Sequence, residues 1–258
     1  MSVLPMRLAQ LNSGQDASTN LAEGLAVDFA SLMAAALPQA KPEMLEEMRA
    51  AASLGISKRM LLAGRLVHEA VGAQGLPALA AHTSDTVRGW VCYALAHEYA
   101  LRLPPQLPES PALLGQLLEA VRPFADDGHF GVREWAWMAV RPHLARQPEQ
   151  AIRHLAGWTA DASGRVRRFA SESTRPRGVW CAHLNILKEN PALGLPVLEP
   201  LKADPSRYVQ DSVGNWLNDA AKSQPQWVGA LCEAWLAHTS GEATERICKR
   251  ALRNLGKK

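Results

Sequence analysis

His129-Phe130-Gly131-Val132-Arg133-Glu134-Trp135-Ala136-Trp137-Met138-Ala139-Val140-Arg141-Pro142 leaves a Gly-containing turn, continues as a helix-forming run and meets a proline. The Val-Arg pair near its start has counterparts elsewhere. Val87-Arg88 follows Ser-Asp-Thr, Val166-Arg167 follows Ser-Gly-Arg and Val209-Gln210 follows Ser-Arg-Tyr, at successive separations of 45, 34 and 43 residues. Each start comes after a polar or Gly-containing turn, so the valine can face a core while the next residue points to one shared face.

Between these starts the apolar residues recur at three- and four-residue spacing, as in Leu25, Phe29, Leu32, Met33 and Leu37, then Leu113, Leu117, Leu118 and Val121. That is the pattern of amphipathic helices, and no stretch alternates with period 2 for long enough to make a strand. Prolines stand where helices should stop or start: Pro38, Pro104, Pro105, Pro123, Pro142, Pro148, Pro191, Pro196, Pro205 and Pro225. A period of about 35–45 residues with two helices per unit fits HEAT- or armadillo-like stacking. The expected fold is therefore all-α, a right-handed α-solenoid of HEAT-like helical repeats. Residues 1–20, crowded with Gly, Ser, Asn, Asp and Gln from position 11, are expected to be a flexible segment, and 21–258 a single repeat domain ending in a Gly256-Lys257-Lys258 helix exit. The polar residue after each valine (Arg88, Arg133, Arg167, Gln210) either builds a functional inner surface or caps and solvates its helix start.

The 258 residues are 47% hydrophobic, ample for a core, and 21% charged, which argues for a globular chain rather than disorder. Charge is unevenly placed. Residues 1–80 hold 6 Lys/Arg against 7 Asp/Glu, residues 81–160 hold 7 against 8, and residues 161–258 hold 15 against 10. The positive excess at the C-terminal end points to a polyanionic partner. Cys92, Cys181, Cys232 and Cys248 share no metal-ligand spacing and read as reduced core residues, and the eight histidines show no ligand pairing. Neither a metal nor a cofactor is expected. No apolar run reaches the ~18 residues of a membrane span and no secretory leader is present, so the expectation is a cytoplasmic, bacterial-type protein without membrane association.

Four segments could carry chemistry. In the first, Glu134 sits in a first helical turn, where the helix dipole alone would favour it, yet it keeps company with Arg133, Trp135 and Trp137. At this spacing the tryptophans are ordinarily core. The second, Ser171-Glu-Ser-Thr-Arg-Pro-Arg-Gly-Val-Trp180, follows Arg165, Arg167 and Arg168 and adds Arg175 and Arg177 around a single acid, Glu172. Glu172 can pair with Arg168 or Arg175 on the helix surface, but five arginines exceed one local acid, which leaves several for phosphates. Trp180 lies just past the Pro176 break, where an exposed indole could stack on a sugar or base. In the third, Asp211, Asn215 and Asp219 recur every four residues as a polar stripe, either a solvated face or a working surface. The fourth supplies Arg246, Lys249, Arg250 and Arg253, a candidate phosphate track. Gly-x-Ser-x-Gly, P-loop, His-Glu-x-x-His and Gly-x-Gly-x-x-Gly motifs are absent.

Taken together, Val-Arg-Glu-Trp-Ala-Trp-Met-Ala-Val-Arg-Pro, Ala-Ser-Glu-Ser-Thr-Arg-Pro-Arg-Gly-Val-Trp, Tyr-Val-Gln-Asp-Ser-Val-Gly-Asn-Trp-Leu-Asn-Asp and Lys-Arg-Ala-Leu-Arg-Asn-Leu resemble the AlkC branch of the AlkD-like DNA alkylation repair glycosylases. The resemblance runs from about residue 85 to 255, and Ser-Glu-x-x-Arg-Pro-Arg is its most specific string. It implies a HEAT-like fold that clasps alkylated double-stranded DNA in a concave basic groove, and excision of cationic N-methylated bases, chiefly 3-methyladenine and 3-methylcytosine, without base flipping; the chain is expected to be a monomer. Some relatives carry a C-terminal immunoglobulin-like domain, so this sequence resembles the shorter form. The resemblance makes Glu134, Glu172 and Asp219 the catalytic carboxylates and places Trp180, Trp137 and Asn215 at the lesion or its sugar. It assigns phosphates to Arg133, Arg167, Arg168, Arg175, Arg177, Lys249, Arg250 and Arg253. The alternative is a helical-repeat scaffold that grips a protein partner or damaged DNA without chemistry.

Overall fold

A computed structural model describes residues 3–103, 111–178, 180–238 and 241–255, with the side chain of residue 111 left aside. Pro104, Pro105 and the Gly256-Lys257-Lys258 exit lie outside the described residues. All regular structure among the described residues is helical, as the periodicity implied. The chain divides into two compact units, residues 1–140 and 141–258, where the sequence reading expects one domain.

The N-terminal unit contains α1 (Pro5–Asn12), α2 (Leu21–Ala26), α3 (Phe29–Ala36), α4 (Pro42–Ala50), α5 (Ile56–Ala80), α6 (Asp85–Arg102), α7 (Pro111–Ala125) and the start of α8 (Phe130–Arg146). Helix α5 is interrupted at Gly72, whose φ of 61° is a conformation that a side chain would strain. Trp90 of α6 is fully buried and meets the ring of Phe29 edge-on at 5.3 Å between centroids. The stretch 1–20, expected to be flexible, carries α1 and is tied to the repeat helices. Ser18 donates its backbone N–H and its hydroxyl to the buried Asp85 carboxylate at 2.7 and 2.9 Å, and its carbonyl meets His129 Nε2 at 2.5 Å. The Gly131 N–H approaches His129 Nδ1 at 3.1 Å, which makes Nδ1 the acceptor and puts the proton on Nε2.

The C-terminal unit completes α8 and adds α9 (Pro148–Trp158), α10 (Gly164–Ser173), α11 (Asn185–Glu189), α12 (Leu195–Leu201), α13 (Arg207–Ala221), α14 (Pro225–His238) and α15 (Glu242–Leu252). Helix α13 packs against both α10 and α15. Pro148 and Pro225 begin α9 and α14, and Pro205 lies in the turn before α13. Pro123 and Pro142 do not act as stops: α7 and α8 run on to Ala125 and Arg146. The packing of buried residues beyond each proline, Phe124 and Leu144 among them, outweighs the one hydrogen bond that each ring removes. Among the described residues no helix is long and apolar enough to cross a membrane.

What repeats in space is a turn motif wider than the Val-Arg pair. Asp127, Asp161 and Asp204 each accept the N–H two residues on, from His129, Ser163 and Ser206, at 2.7, 2.7 and 2.8 Å. The residue six positions on then reaches back to the turn. Arg133 donates to Asp127 O and Gly128 O (2.8 and 3.0 Å), Arg167 to Asp161 O and Ala162 O (2.8 and 3.0 Å), and Gln210 to Asp204 O (2.8 Å). Arg88 does the same to His82 O and Thr83 O, at 2.7 and 2.8 Å. Among the described residues an arginine in each unit also grips the aspartate of the next turn through the Nε–Nη2 edge of its guanidinium. Arg88 Nε and Nη2 reach Asp127 at 2.9 and 3.3 Å, and Arg167 Nε and Nη2 reach Asp204 at 2.6 and 3.0 Å. The polar residue after each valine therefore closes its own turn, and Arg88 and Arg167 each fasten that turn to the following one.

Asp204 is buried and serves Ser206, Arg167 and the turn at once. Replacing it by alanine strands the Arg167 fork, and we expect Asp204→Ala to lower stability by about 3 kcal/mol, measured by urea unfolding. An exposed-residue control such as Glu233→Ala should change it by less than about 0.5 kcal/mol.

Candidate functional site

The densest polar cluster lies in the C-terminal unit, where the last turn of α10 faces α13. Glu172 is 5% exposed and Asp219 likewise 5%. They share one guanidinium: Arg175 Nη1 donates to Glu172 Oε1 at 2.8 Å, while its Nε and Nη2 both reach Asp219 Oδ2, at 2.9 and 2.7 Å. Ser212 donates its hydroxyl to Glu172 Oε2 at 2.6 Å and accepts from the Ser171 hydroxyl at 2.8 Å. Arg168 approaches Glu172 Oε2 at 3.5 Å with its guanidinium 4.4 Å from the Tyr208 ring centroid, and Lys222 Nζ stands 3.3 Å from Asp219 Oδ1. The result is an alternating row, Arg168, Glu172, Arg175, Asp219, Lys222.

Burial pushes the Glu172 carboxyl upward, but the charges of Arg168 and Arg175 and the bonds from Ser212 and Arg175 outweigh it, so its pKa falls below the ordinary 4.5. Arg175 is held above its ordinary value: burial opposes its charge, and the two carboxylates more than compensate. At neutral pH Glu172 and Arg175 are thus a fixed ion pair shielded from water, with Lys222 at the exposed end of the row.

Beyond α10 the chain turns through Pro176, Arg177 and Gly178 to Trp180, which is 43% exposed. This loop is closed by the Leu184 N–H on Pro176 O at 3.0 Å. At Gly178 a Cβ would fall 2.2 Å from Cys181 Sγ, so no side chain fits there. Its clasp is Arg141, 2% exposed, which donates to Ser173 O (2.9 Å), Arg175 O (2.6 Å) and Ala182 O (3.1 Å). One guanidinium thus gathers the end of α10 and the far end of the loop. Trp216 Nε1 adds a bond to Thr174 Oγ1 at 3.2 Å. Arg177 donates to Asp219 O at 3.1 Å and Ser223 Oγ at 2.6 Å, both uncharged acceptors, so its charge is not locally neutralised.

On the other side of α13, Asp211 pairs with Arg246 and Arg250, and Asn215 Oδ1 accepts from Arg250 Nε at 3.0 Å and Arg253 Nη1 at 2.9 Å. Arg246, Lys249, Arg250 and Arg253 line an open cleft of about 730 Å³, with Glu242 and Glu245 on its rim. In the N-terminal unit, Glu134 accepts from Trp137 Nε1 at 2.8 Å, and Trp137 is buried.

Several sequence expectations change. The stripe Asp211, Asn215, Asp219 is split, because each four-residue step rotates about 40° past a full turn. Asp211 and Asn215 therefore serve α15, while Asp219 serves α10. Ser212, seven residues before Asp219 and so on its face, is the partner that the four-residue spacing hides. The arginines of the α10 segment meet more acids than Glu172 alone, since folding brings Asp204 to Arg167 and Asp219 to Arg175. Arg141 was also hidden, although an arginine three and four residues from the apolar Leu144 and Trp137 is the signal for a buried one. Among the described residues no three His, Cys, Asp or Glu side chains are grouped to hold a metal ion.

Two outcomes follow for the isolated chain. Because the Glu172 pKa is depressed on folding, its stabilisation is fully present above pH 4.5 and is lost as pH falls through the lower folded value. Urea unfolding from pH 7 to pH 3 should show a shallower acid loss for Glu172→Gln than for wild type. Arg141→Lys cannot span three carbonyls with a fork, so we expect a loss of about 2 kcal/mol and greater acrylamide quenching of Trp180, read in a chain whose other tryptophans are replaced by phenylalanine.

Residues 131–255 match the family model described as DNA alkylation repair enzyme. The uncharacterized protein YhaZ of Bacillus subtilis (strain 168) is 40% identical over 120 residues, 46% of this chain and 33% of that protein. Among solved structures, the Pseudomonas fluorescens alkylpurine DNA glycosylase AlkC, bound to DNA containing an abasic site analog, is similar with a TM-score of 0.66 and 26% identity over 97% of this chain and 62% of AlkC. AlkD2 from Streptococcus mutans gives a TM-score of 0.60 at 18% identity, covering 83% of this chain and 99% of AlkD2, a likeness of fold. The chain thus spans a third of the length of its Bacillus relative and under two thirds of AlkC. Glu134, Arg141, Glu172, Arg175 and Asp219 all lie within the matched segment. Residues 131–255 are thus similar to the DNA alkylation repair enzyme family, and the chain that carries them has a helical-repeat fold like that of AlkC and AlkD2.

Proposed function

We propose that the chain is a DNA glycosylase that releases cationic N-methylated bases, 3-methyladenine and 3-methylcytosine, from duplex DNA without flipping them into a pocket. The observation that carries this reading is the pair of buried carboxylates, Glu172 and Asp219, held on the two edges of Arg175 beside the loop that presents Trp180. A cationic base leaves neutral, so its departure needs no strong acid. The barrier lies in the deoxyribose, which turns positive as the bond to C1′ stretches. Carboxylates fixed in a shielded site attract that charge and orient a water towards C1′. Stabilisation of about 4 kcal/mol corresponds to roughly a thousandfold in rate.

Glu134, fixed by the Trp137 indole N–H, is the third carboxylate in this reading. Trp180 lies against the lesion-bearing nucleotide. Arg177, Lys249, Arg250 and Arg253 take the phosphates, with Asn215 aiming the last two. Arg133 and Arg167 close repeat turns, Arg168 rests on Tyr208 and Arg175 orients the acids, so we move these four from phosphate contacts to positioning roles.

One observation favours the non-catalytic alternative, a damaged-DNA or protein binder: both acids already have cationic partners. Mass spectrometry of bases freed from methylated duplex DNA decides between them. Wild type should release 3-methyladenine or 3-methylcytosine, and Glu172→Gln and Asp219→Asn should each slow release by about a hundredfold or more while duplex binding persists. No release from wild type rejects the enzyme, and unchanged release in both variants rejects the assigned acids.

A further inference from the structure

The N-terminal unit contains a cavity of about 280 Å³ that none of the proposed catalytic or phosphate-binding residues lines. It lies where the end of α2, the start of α3, the end of α4 and the first turn of α5 meet. Leu25, Phe29 and Met48 form its apolar wall, and Asp28, Arg49 and Arg59 its polar one.

Arg59 is in an unusual state. Its guanidinium carbon lies 4.8 Å from the centroid of the Phe29 ring, which fixes the plane of the fork by a cation–π contact. Its Nε is buried and has no hydrogen-bond partner. Among the described residues Arg59 forms no ion pair, and burial lowers its pKa with only the more distant charge of Asp28 opposing. The guanidiniums of Arg141, Arg167 and Arg175, by contrast, have carbonyls or carboxylates on their forks. Arg49, exposed on the last turn of α4, lines the same cavity and likewise has no ion pair among the described residues. Phe29 and Ala30, the first two residues of α3, also line it, and amides at those positions have no partner within their own helix. Asp28 caps α3 through the Ser31 N–H at 2.6 Å. The lining charges, two arginines against one aspartate, leave one net positive charge.

We propose that this cavity binds a phosphoryl group, with Arg59 and Arg49 as its charged donors, the start of α3 supplying amides, and the Leu25–Phe29–Met48 wall receiving the carbon part of a phosphate ester. A tetrahedral anion uses donors converging from three elements, whereas a carboxylate is satisfied by one fork. The volume suits a group no larger than a mononucleotide. The phosphoryl group belongs either to a free monoester or to a nucleic-acid backbone. The assignment does not rest on the glycosylase reading, because it involves neither the acids nor the matched segment.

The test uses the full chain and three probes: inorganic phosphate, a deoxynucleoside monophosphate and an unmodified DNA duplex, with wild type, Arg59→Gln, Arg49→Gln and Arg59→Lys. Phosphate or monophosphate should bind saturably by calorimetry, and each Gln variant should weaken it about tenfold, with Arg59→Lys recovering part of the loss. If the phosphate comes from a nucleic-acid backbone, the Gln variants should instead lower the slope of log K against log salt for the duplex by about one. Because Arg49 is exposed, its variant keeps the fold and is decisive should Arg59→Gln destabilise the chain. The proposal is overturned if neither small probe binds and the duplex salt slope is unchanged, or if binding is indifferent to both Gln variants. Base release from methylated DNA, measured alongside, should be retained in all three variants, so failure here and failure of the glycosylase are separate results.

Discussion

A guanidinium withdrawn from water must find acceptors for its five N–H donors, and this requirement organises much of the chain. Arg88 and Arg167 meet it with turn carbonyls and the aspartate of the next turn, which links successive repeats within each unit. Arg141 meets it with three carbonyls and so defines the loop of Trp180. Arg175 meets it with two carboxylates and so defines the proposed catalytic acids. The same group thus ties the scaffold together at Arg88, Arg141 and Arg167, and at Arg175 it aligns the two buried carboxylates of the proposed site. Arg59, with none of these partners, stands apart by the same criterion.

Helix α13 shows how the scaffold positions the site. Its face towards α10 presents Ser212, Trp216 and Asp219 to the end of that helix. Its face towards α15 presents Asp211 and Asn215 to Arg246, Arg250 and Arg253. The acids and the basic cleft are therefore mounted on one rigid rod. A backbone held by the arginines of α15 would be offered to the carboxylates through a fixed distance, which is the advantage of building such a site on helices rather than loops.

Much of this was legible in the sequence. The three- and four-residue apolar spacing gave the helices, and the Val-Arg and Val-Gln starts gave the repeat, because each copy must bury the same face against its neighbour. The Ser-Glu-x-x-Arg-Pro-Arg string marked the segment around which the densest polar cluster forms. Less legible were the partners. Glu172 reads as a helix-surface acid paired three and four residues away; the pairs are there, but the carboxylate is buried and its shortest hydrogen bond comes from Ser212, forty residues on. Pro123 and Pro142 read as helix ends, yet the helices continue through them because nearby core packing is worth more than one backbone bond.

Local pattern determined by itself what depends on neighbours within a helical turn or two: the helical class, the repeat period, the turns, and the excess of basic residues from residue 161 onward. Tertiary structure alone decided which arginine meets which acid. Asp204 and Asp219 lie 37 and 44 residues from Arg167 and Arg175, and no local signal assigns them. Coulomb attraction inside a protein depends on separation and exclusion of water, and both are set only when the helices stack.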